Sequence, residues 1–413
     1  MAQGLVGSEI IKLAGEVKKK IAAGEHIYNF TIGDFNPSIF PIPSKLKDAI
    51  IQAYNDGHTN YPMANGMAEL RKSVSGYLKT FGDLDYGADD ILVSAGSRPL
   101  IYATYRALID PDDTVLYPVP SWNNNHYTHL TSAKSIFVET TPEHNFMPSA
   151  EDLAPYISEA NLVAVCSPLN PTGTVFTEEA LSGICELILE ENKRREGVRK
   201  PVYLMYDSVY WMILNGETKH FNPVHLYPEM REYTVSIDGI SKAFCATGVR
   251  VGWAFGPTEL IGRMKAILSH MGAWSPKAEQ LAVGSYLSNN EVVKNDIDAF
   301  RTEVSYRLNG FYEGFTQMKN DGLPVDVIDP QGAIYLTIKF DLIGKNRADG
   351  STIDSIEDTT SYLLNEAKVA LVPFYCFGAP RTSKWYRLSI GTASREDVRK
   401  ALGNIETALN KLS

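Results

Sequence analysis

Apolar residues recur at helical spacing near the start of the chain. Ile10, Ile11, Ala14, Val17 and Ile21 share one face of residues 8–23, and Gly24 closes the pattern. Residues 44–56 repeat it with Leu46, Ala49, Ile50, Ala53 and Tyr54, with Ser44 as the expected N-cap and Gly57 as the stop. From about residue 90 the texture changes. Short apolar, β-rich runs fall at 91–94, 115–117, 136–138, 162–166, 202–206, 234–237 and 251–255. Helical patterns separate most of them, among them 100–109, 149–158 and 178–195. Strands alternating with helices predict an α/β layer built on a mostly parallel seven-stranded sheet between helices. Near residue 290 a second region begins. It reads as a long helix at 292–319, strands at 333–340 and 386–390 and a helix at 395–411, a smaller α+β domain.

A chain of 413 residues has room for two or three domains and a large core without staples. Its formal net charge of −10 argues against a general affinity for nucleic acid or anionic membrane, but a local pocket can still be basic. Cys166, Cys185, Cys245 and Cys376 form no C-x-x-C pair and read as reduced, buried thiols. The N-terminus does not read as a signal peptide: Glu9 and Glu16 fall early, and Lys18, Lys19 and Lys20 follow the apolar residues. No apolar run is long enough to span a bilayer, so a cytoplasmic protein is expected.

Dinucleotide, P-loop, zinc-hydrolase and α/β-hydrolase signatures are missing, and the histidines lack zinc-ligand spacing. In parallel sheets ligands bind beyond the carboxyl ends of the strands, so the residues there carry the search. After the first run come Gly96, Ser97, Arg98 and Pro99, opening a helix with Ser97 as the expected N-cap; after the second, Pro120-Ser121-Trp122. The fourth leads into Ser167-Pro168-Leu169-Asn170-Pro171-Thr172-Gly173 and the fifth into Asp207-Ser208-Val209-Tyr210. The sixth ends in Asp238-Gly239-Ile240-Ser241-Lys242, and Arg250 follows eight residues past the lysine.

Singly these motifs are common; as an ordered set at strand ends they are specific. From Gly33 to Arg387, over essentially the whole chain, the sequence resembles the class I/II aminotransferases, fold-type I enzymes of pyridoxal 5′-phosphate (PLP), and within them the prokaryotic aspartate aminotransferases. The resemblance implies a homodimer with shared active sites, a large PLP-binding domain at 46–290, a small C-terminal domain at 291–413 and residues 1–45 as an N-terminal arm completing it.

It also implies roles. Lys242 takes the cofactor's aldehyde as a Schiff base and then moves the substrate proton. Asp207 holds the proton on the pyridine nitrogen. Asn170 and Tyr210 donate to the ring oxygen. Ser97 and Arg98, at the start of a helix, meet the phosphate with Arg250 and Ser241. Tyr61 reaches the phosphate of the neighbouring subunit. Trp122 stacks on the ring. Arg387 clamps the substrate α-carboxylate, with Gly33 and Asn170 beside it; Gly332, Val372-Pro373 and Phe377-Gly378 are architectural. More ordinary readings are a solvated Lys242, a helix-capping Asp207, an Asn-Pro turn at Asn170 and a core Trp122.

Trp122 and Arg98 lean towards aspartate or glutamate as amino donor and a 2-oxo acid as acceptor. Arg98 stands where one prokaryotic aspartate group carries a lysine for the substrate's distal carboxylate; otherwise it is a phosphate-loop residue. Met271-Gly272-Ala273-Trp274-Ser275-Pro276 departs from the family's usual small polar stretch, which borders the pocket in relatives, so Trp274 there favours a bulkier or apolar substrate side chain. The alternatives are an aminotransferase for aromatic or neutral amino acids, or a lyase on the same scaffold. A PLP-binding transcriptional regulator fits poorly, given the negative charge and no segment for a DNA-binding domain.

Overall fold

The computed structural model describes residues 9–413, with side chains from Leu13 onward. Ile10 and Ile11 of the expected apolar stripe lie outside the described side chains. The first helix runs Glu9–Ala22. Val17 is buried with Ile27, Leu364 and Ala370, whereas Ile21, expected on the same face, is exposed.

A two-residue strand β1 (Tyr28–Asn29) precedes the main layer. There, β2 (Ile91–Ser94), β3 (Thr114–Val119), β4 (Lys134–Glu139), β5 (Ala160–Cys166), β6 (Tyr203–Asp207), β7 (Thr234–Gly239) and β8 (Gly252–Phe255) form one seven-stranded sheet in the order β2-β8-β7-β6-β5-β3-β4. Only β8 runs antiparallel to its neighbours. Strands β2, β3, β7 and β8 are buried along their whole length, as expected of a sheet covered on both faces. The covering helices carry their own end signals. In Glu178–Arg195, Thr177 accepts from the Ala180 N–H at 3.1 Å, with Glu178 and Glu179 in the first turn and Lys193, Arg194 and Arg195 in the last.

The expected helix at 149–158 is shorter, Ala150–Leu153, and the chain continues as turns that still bury Ile157. Neither Ser44 nor Ser97 is a cap. Each is the first residue inside its helix, behind Pro43 and Gly96. At Gly96 the reason is steric: φ is +89°, and a Cβ would lie 2.2 Å from the Arg250 Nη2.

The helix Asn290–Asn320 leads to the smaller sheet, and its buried Phe311 packs edge-on against Phe30. That sheet is antiparallel, β12-β13-β10-β9, from β9 (Val325–Val327), β10 (Tyr335–Phe340), β12 (Val372–Pro373) and β13 (Trp385–Ser389). The N-terminal segment is sewn into this region. Strand β1 pairs in parallel with β11 (Val369–Ala370), and the Ser389 N–H donates to the Phe30 carbonyl at 2.9 Å. Of the cysteines expected to be buried, Cys185 is; Cys166, Cys245 and Cys376 are partly exposed. Among the described residues no helix is long and apolar enough to cross a membrane.

The two sheets meet at Gly173, in the turn after β5. Its φ is +73°, and a Cβ would fall 2.1 Å from the Tyr335 carbonyl oxygen. Backbone cannot yield as a flexible side chain does, so Gly173→Ala should cost about 1–3 kcal/mol in denaturant unfolding.

Candidate active site

The strand ends converge on a cavity of about 710 Å³. Of the site residues singled out from the sequence, all but Tyr61 line it. Tyr61 is 83% exposed and meets the Trp274 ring edge-on, with centroids 5.3 Å apart. Trp274, expected to border the pocket, does not line this cavity.

Lys242 sits in the short helix Ile240–Ala243, directly after β7. Its Nζ donates to the Gly33 carbonyl at 2.7 Å. Loss of water pushes the ammonium down to about 8; Asp34 and Asp207 oppose the shift, and Arg387 and Arg98 add to it. Asp207 ends β6, next to Cys166 of β5 in the register. One oxygen accepts from the Val209 N–H at 3.3 Å. Burial pushes the carboxyl up to about 6, while the Val209 hydrogen bond and Lys242 pull it down. Among the described residues it has no ion-pair partner.

Arg387, on β13, is buried. It donates to Asn170 Oδ1 at 2.9 Å and to the Thr31 carbonyl at 2.7 Å, and its Nε has no partner among the described residues. Its guanidinium lies 4.7 Å from the Tyr335 ring centroid and 4.9 Å from that of Phe377. Asn170 itself precedes a cis peptide bond to Pro171, and Ser167–Pro168 and Val119–Pro120 are also cis. Arg250 is held by the carbonyls of Thr247 at 2.7 Å and Ala95 at 2.8 Å, which sets it against the first turn of the helix Ser97–Leu108. Arg98, one residue into that helix, lies over Trp122, 4.4 Å from the ring centroid.

Three contributors escaped the sequence reading. Asp34 anchors the Gly33 segment, accepting from the Phe35 N–H at 2.8 Å and the Thr247 hydroxyl at 2.6 Å. Thr31 supplies a backbone carbonyl, which no side-chain motif announces. Tyr335 opens β10, with its hydroxyl 2.6 Å from that of Tyr210. Its signal was its place two residues past Ala333, in a stretch read as architecture.

Residues 25–405 match the family model of aminotransferase class I and II. The chain belongs to that family. It is 29% identical to the aspartate aminotransferase of Bacillus subtilis (strain 168), over 99% of this chain and 98% of that one. It is 30% identical to a probable aspartate/prephenate aminotransferase of Rickettsia felis, covering 98% and 93%. The solved aspartate aminotransferase of Rhizobium meliloti superposes with a TM-score of 0.89 at 26% identity, covering 100% and 98%. That of Thermus thermophilus with maleate gives 0.85 at 26% identity, covering 98% of each chain.

This aminotransferase is a PLP-dependent transaminase, and its cavity fits that cofactor. A phosphate finds Arg250 and the free N–H groups of a helix start. A protonated pyridine nitrogen finds a carboxylate with no cation of its own, and an aldehyde finds a primary amine of lowered pKa.

The raised carboxyl of Asp207 gives the cofactor-free aminotransferase a pH signature. Between the ordinary value of 3.8 and about 6, the folded protein binds more protons than the unfolded one, so stability falls as pH rises through that window. The cost, on the order of 1–3 kcal/mol, is complete above it. Asp207→Asn should therefore melt higher than wild type at pH 8 without PLP, with the difference fading towards pH 4. It should also bind PLP more weakly.

Proposed function

We propose that the enzyme moves the amino group of aspartate or glutamate to a 2-oxo acid by ping-pong exchange. The observation that carries this is a pair of guanidinium groups, Arg387 and Arg98, in one cavity with Lys242, neither with a carboxylate partner among the described residues. A dicarboxylic substrate complements both. The names of the curated relatives, and the dicarboxylate maleate in the Thermus thermophilus structure, support the same class.

In this reading Arg387 binds the α-carboxylate, with Asn170 and the Gly33 backbone fixing its orientation. Lys242 gives up its proton more easily than an ordinary lysine and acts as the base at the substrate Cα, later returning the proton. PLP, when bound, supplies the electron sink that makes that carbon acidic. Asp207 keeps a proton on the pyridine nitrogen, and Tyr210 and Asn170 donate to the ring oxygen. Arg250, Ser241 and the backbone N–H groups of Ser97 and Arg98 in the first helical turn hold the phosphate, leaving the Arg98 side chain for the substrate, and Trp122 covers the ring.

We assign the working form to a cytoplasmic homodimer. Tyr61, edge-on to Trp274, is 83% exposed, and Met63 and Met271, two and three residues from that pair in sequence, are 57% and 50% exposed, which suits a face covered by a second copy. From there Tyr61 reaches the partner's phosphate site. Residues 46–290 act as the PLP-binding domain, and 291–413 with the arm 1–45 as the small domain.

The stacking of Arg98 on Trp122 favours a second reading, in which Arg98 stays on the ring and neutral or aromatic donors are used.

Two measurements test these assignments. Lys242→Ala should take up PLP yet lose about 10²–10⁴-fold in kcat; retained turnover overturns the mechanism. In a single-turnover screen following the cofactor's absorbance, aspartate and glutamate should react fastest. Arg98→Ala should slow them about 10–100-fold relative to alanine, the worth of one charge-assisted hydrogen bond. Fast conversion by aromatic or branched donors alone would establish the second reading.

A further inference from the structure

Tyr335 touches both halves of the site and has no role in the reading above. It opens β10 opposite Ser389 of β13, so Arg387, two residues earlier on β13, is its diagonal neighbour across the pair. The guanidinium lies 4.7 Å from its ring centroid. At the far end of the ring, its hydroxyl is 2.6 Å from that of Tyr210. Tyr335 is 1% exposed, and there is no slack around the hydroxyl: a Cβ at Gly33 would stand 2.8 Å from it.

We infer that Tyr335 is a positioning residue that links the substrate-carboxylate arginine to the tyrosine facing the cofactor's ring oxygen. Its hydroxyl donates to Tyr210, which leaves the Tyr210 O–H to point into the cavity, and its ring face steadies Arg387. The inference rests on the reading of Tyr210 as a donor to the ring oxygen.

The polarity of the pair follows from its surroundings. Four groups face the Tyr335 phenol: Arg387 from β13, Tyr210 from the turn after β6, Cys166 from the end of β5 and Asp34 from the N-terminal segment. Burial pushes both phenols up, Tyr210 further. The Arg387 cation offsets this more strongly at Tyr335, its nearer neighbour. Tyr335 is thus the more acidic phenol and the better donor. A phenol that accepts such a bond becomes a stronger donor in turn, because consecutive hydrogen bonds polarise one another. Arg387 also gains from the contact, since a buried cation without a carboxylate has few means of compensation beyond carbonyls and ring faces.

The hydroxyl and the ring therefore predict separable effects. The readout for the hydroxyl is the apparent pKa of the PLP-loaded enzyme, from the pH titration of its visible absorbance. A donor to the ring oxygen favours the deprotonated linkage to Lys242, so weakening Tyr210 raises that pKa. Tyr335→Phe should raise it by about half a unit, the scale of one neutral hydrogen bond acting at second hand. Maleate affinity should stay within about threefold, because the ring remains. Tyr335→Leu removes the ring as well and should weaken maleate roughly three- to thirtyfold. In a Tyr210→Phe background, Tyr335→Phe should add no further shift. An equal, additive shift there, or an unmoved pKa in Tyr335→Phe while Tyr210→Phe does shift it, overturns the link. An unmoved pKa in Tyr210→Phe overturns the reading of Tyr210 and the link with it. Should Tyr335→Phe fold too poorly to titrate, Gly33→Ala, whose methyl crowds the hydroxyl, must raise the pKa for the link to stand.

Discussion

Arg387 is a buried cation with no carboxylate to answer it among the described residues, and much of the architecture exists to make that tolerable. Two hydrogen bonds and two aromatic faces compensate it, and they come from four separate stretches of chain: Thr31, Asn170, Tyr335 and Phe377. Satisfying one guanidinium thus fixes the N-terminal segment, the turn after β5 and the small sheet relative to one another. Gly173 allows this closeness, because its missing side chain lets the turn after β5 lie against the Tyr335 backbone. A paired arginine would be easier to bury, but under the proposed function a carboxylate already in place would compete with the substrate's.

The same logic governs the rest of the cavity. Lys242 and Asp207 carry opposite charges into one space, yet they are not within ion-pair distance among the described contacts. Each is shifted towards its neutral form chiefly by loss of water. A direct pair would hold Lys242 protonated and spend the carboxylate. Kept apart, the two groups stay available for different atoms of one ligand.

The legible part of this design was the part that parallel sheets enforce. Asp207 closes β6 and Lys242 follows β7, at carboxyl ends that open onto one side, and an apolar run ending in a charged residue marks that place. Pairings across long sequence separations left weaker traces. Thr31 contributes only a carbonyl, and Asp34 acts through Thr247, 213 residues further along the chain. Tyr335 reads as an ordinary aromatic strand residue until β13 is laid beside it. Helix starts were misplaced for a local reason: serine is a common cap, but at Ser97 the collision between any Cβ at position 96 and Arg250 decides the geometry, and at Ser44 the preceding Pro43 takes the cap position.

Incomplete compensation is also what defines the ligand. In the proposed reading Arg387 asks for a carboxylate, Arg250 and the helix start for a phosphate, Asp207 for a cationic ring nitrogen and Lys242 for a carbonyl carbon. Each demand alone is met by many metabolites, but meeting all four at once takes a cofactor and an amino acid together. Whatever binds the folded state and satisfies those groups returns their cost as stability, so the loaded enzyme is more stable than the cofactor-free chain by the binding free energy at the prevailing concentration. The electrostatic strain that makes the empty site costly is therefore the same quantity that makes the loaded site selective.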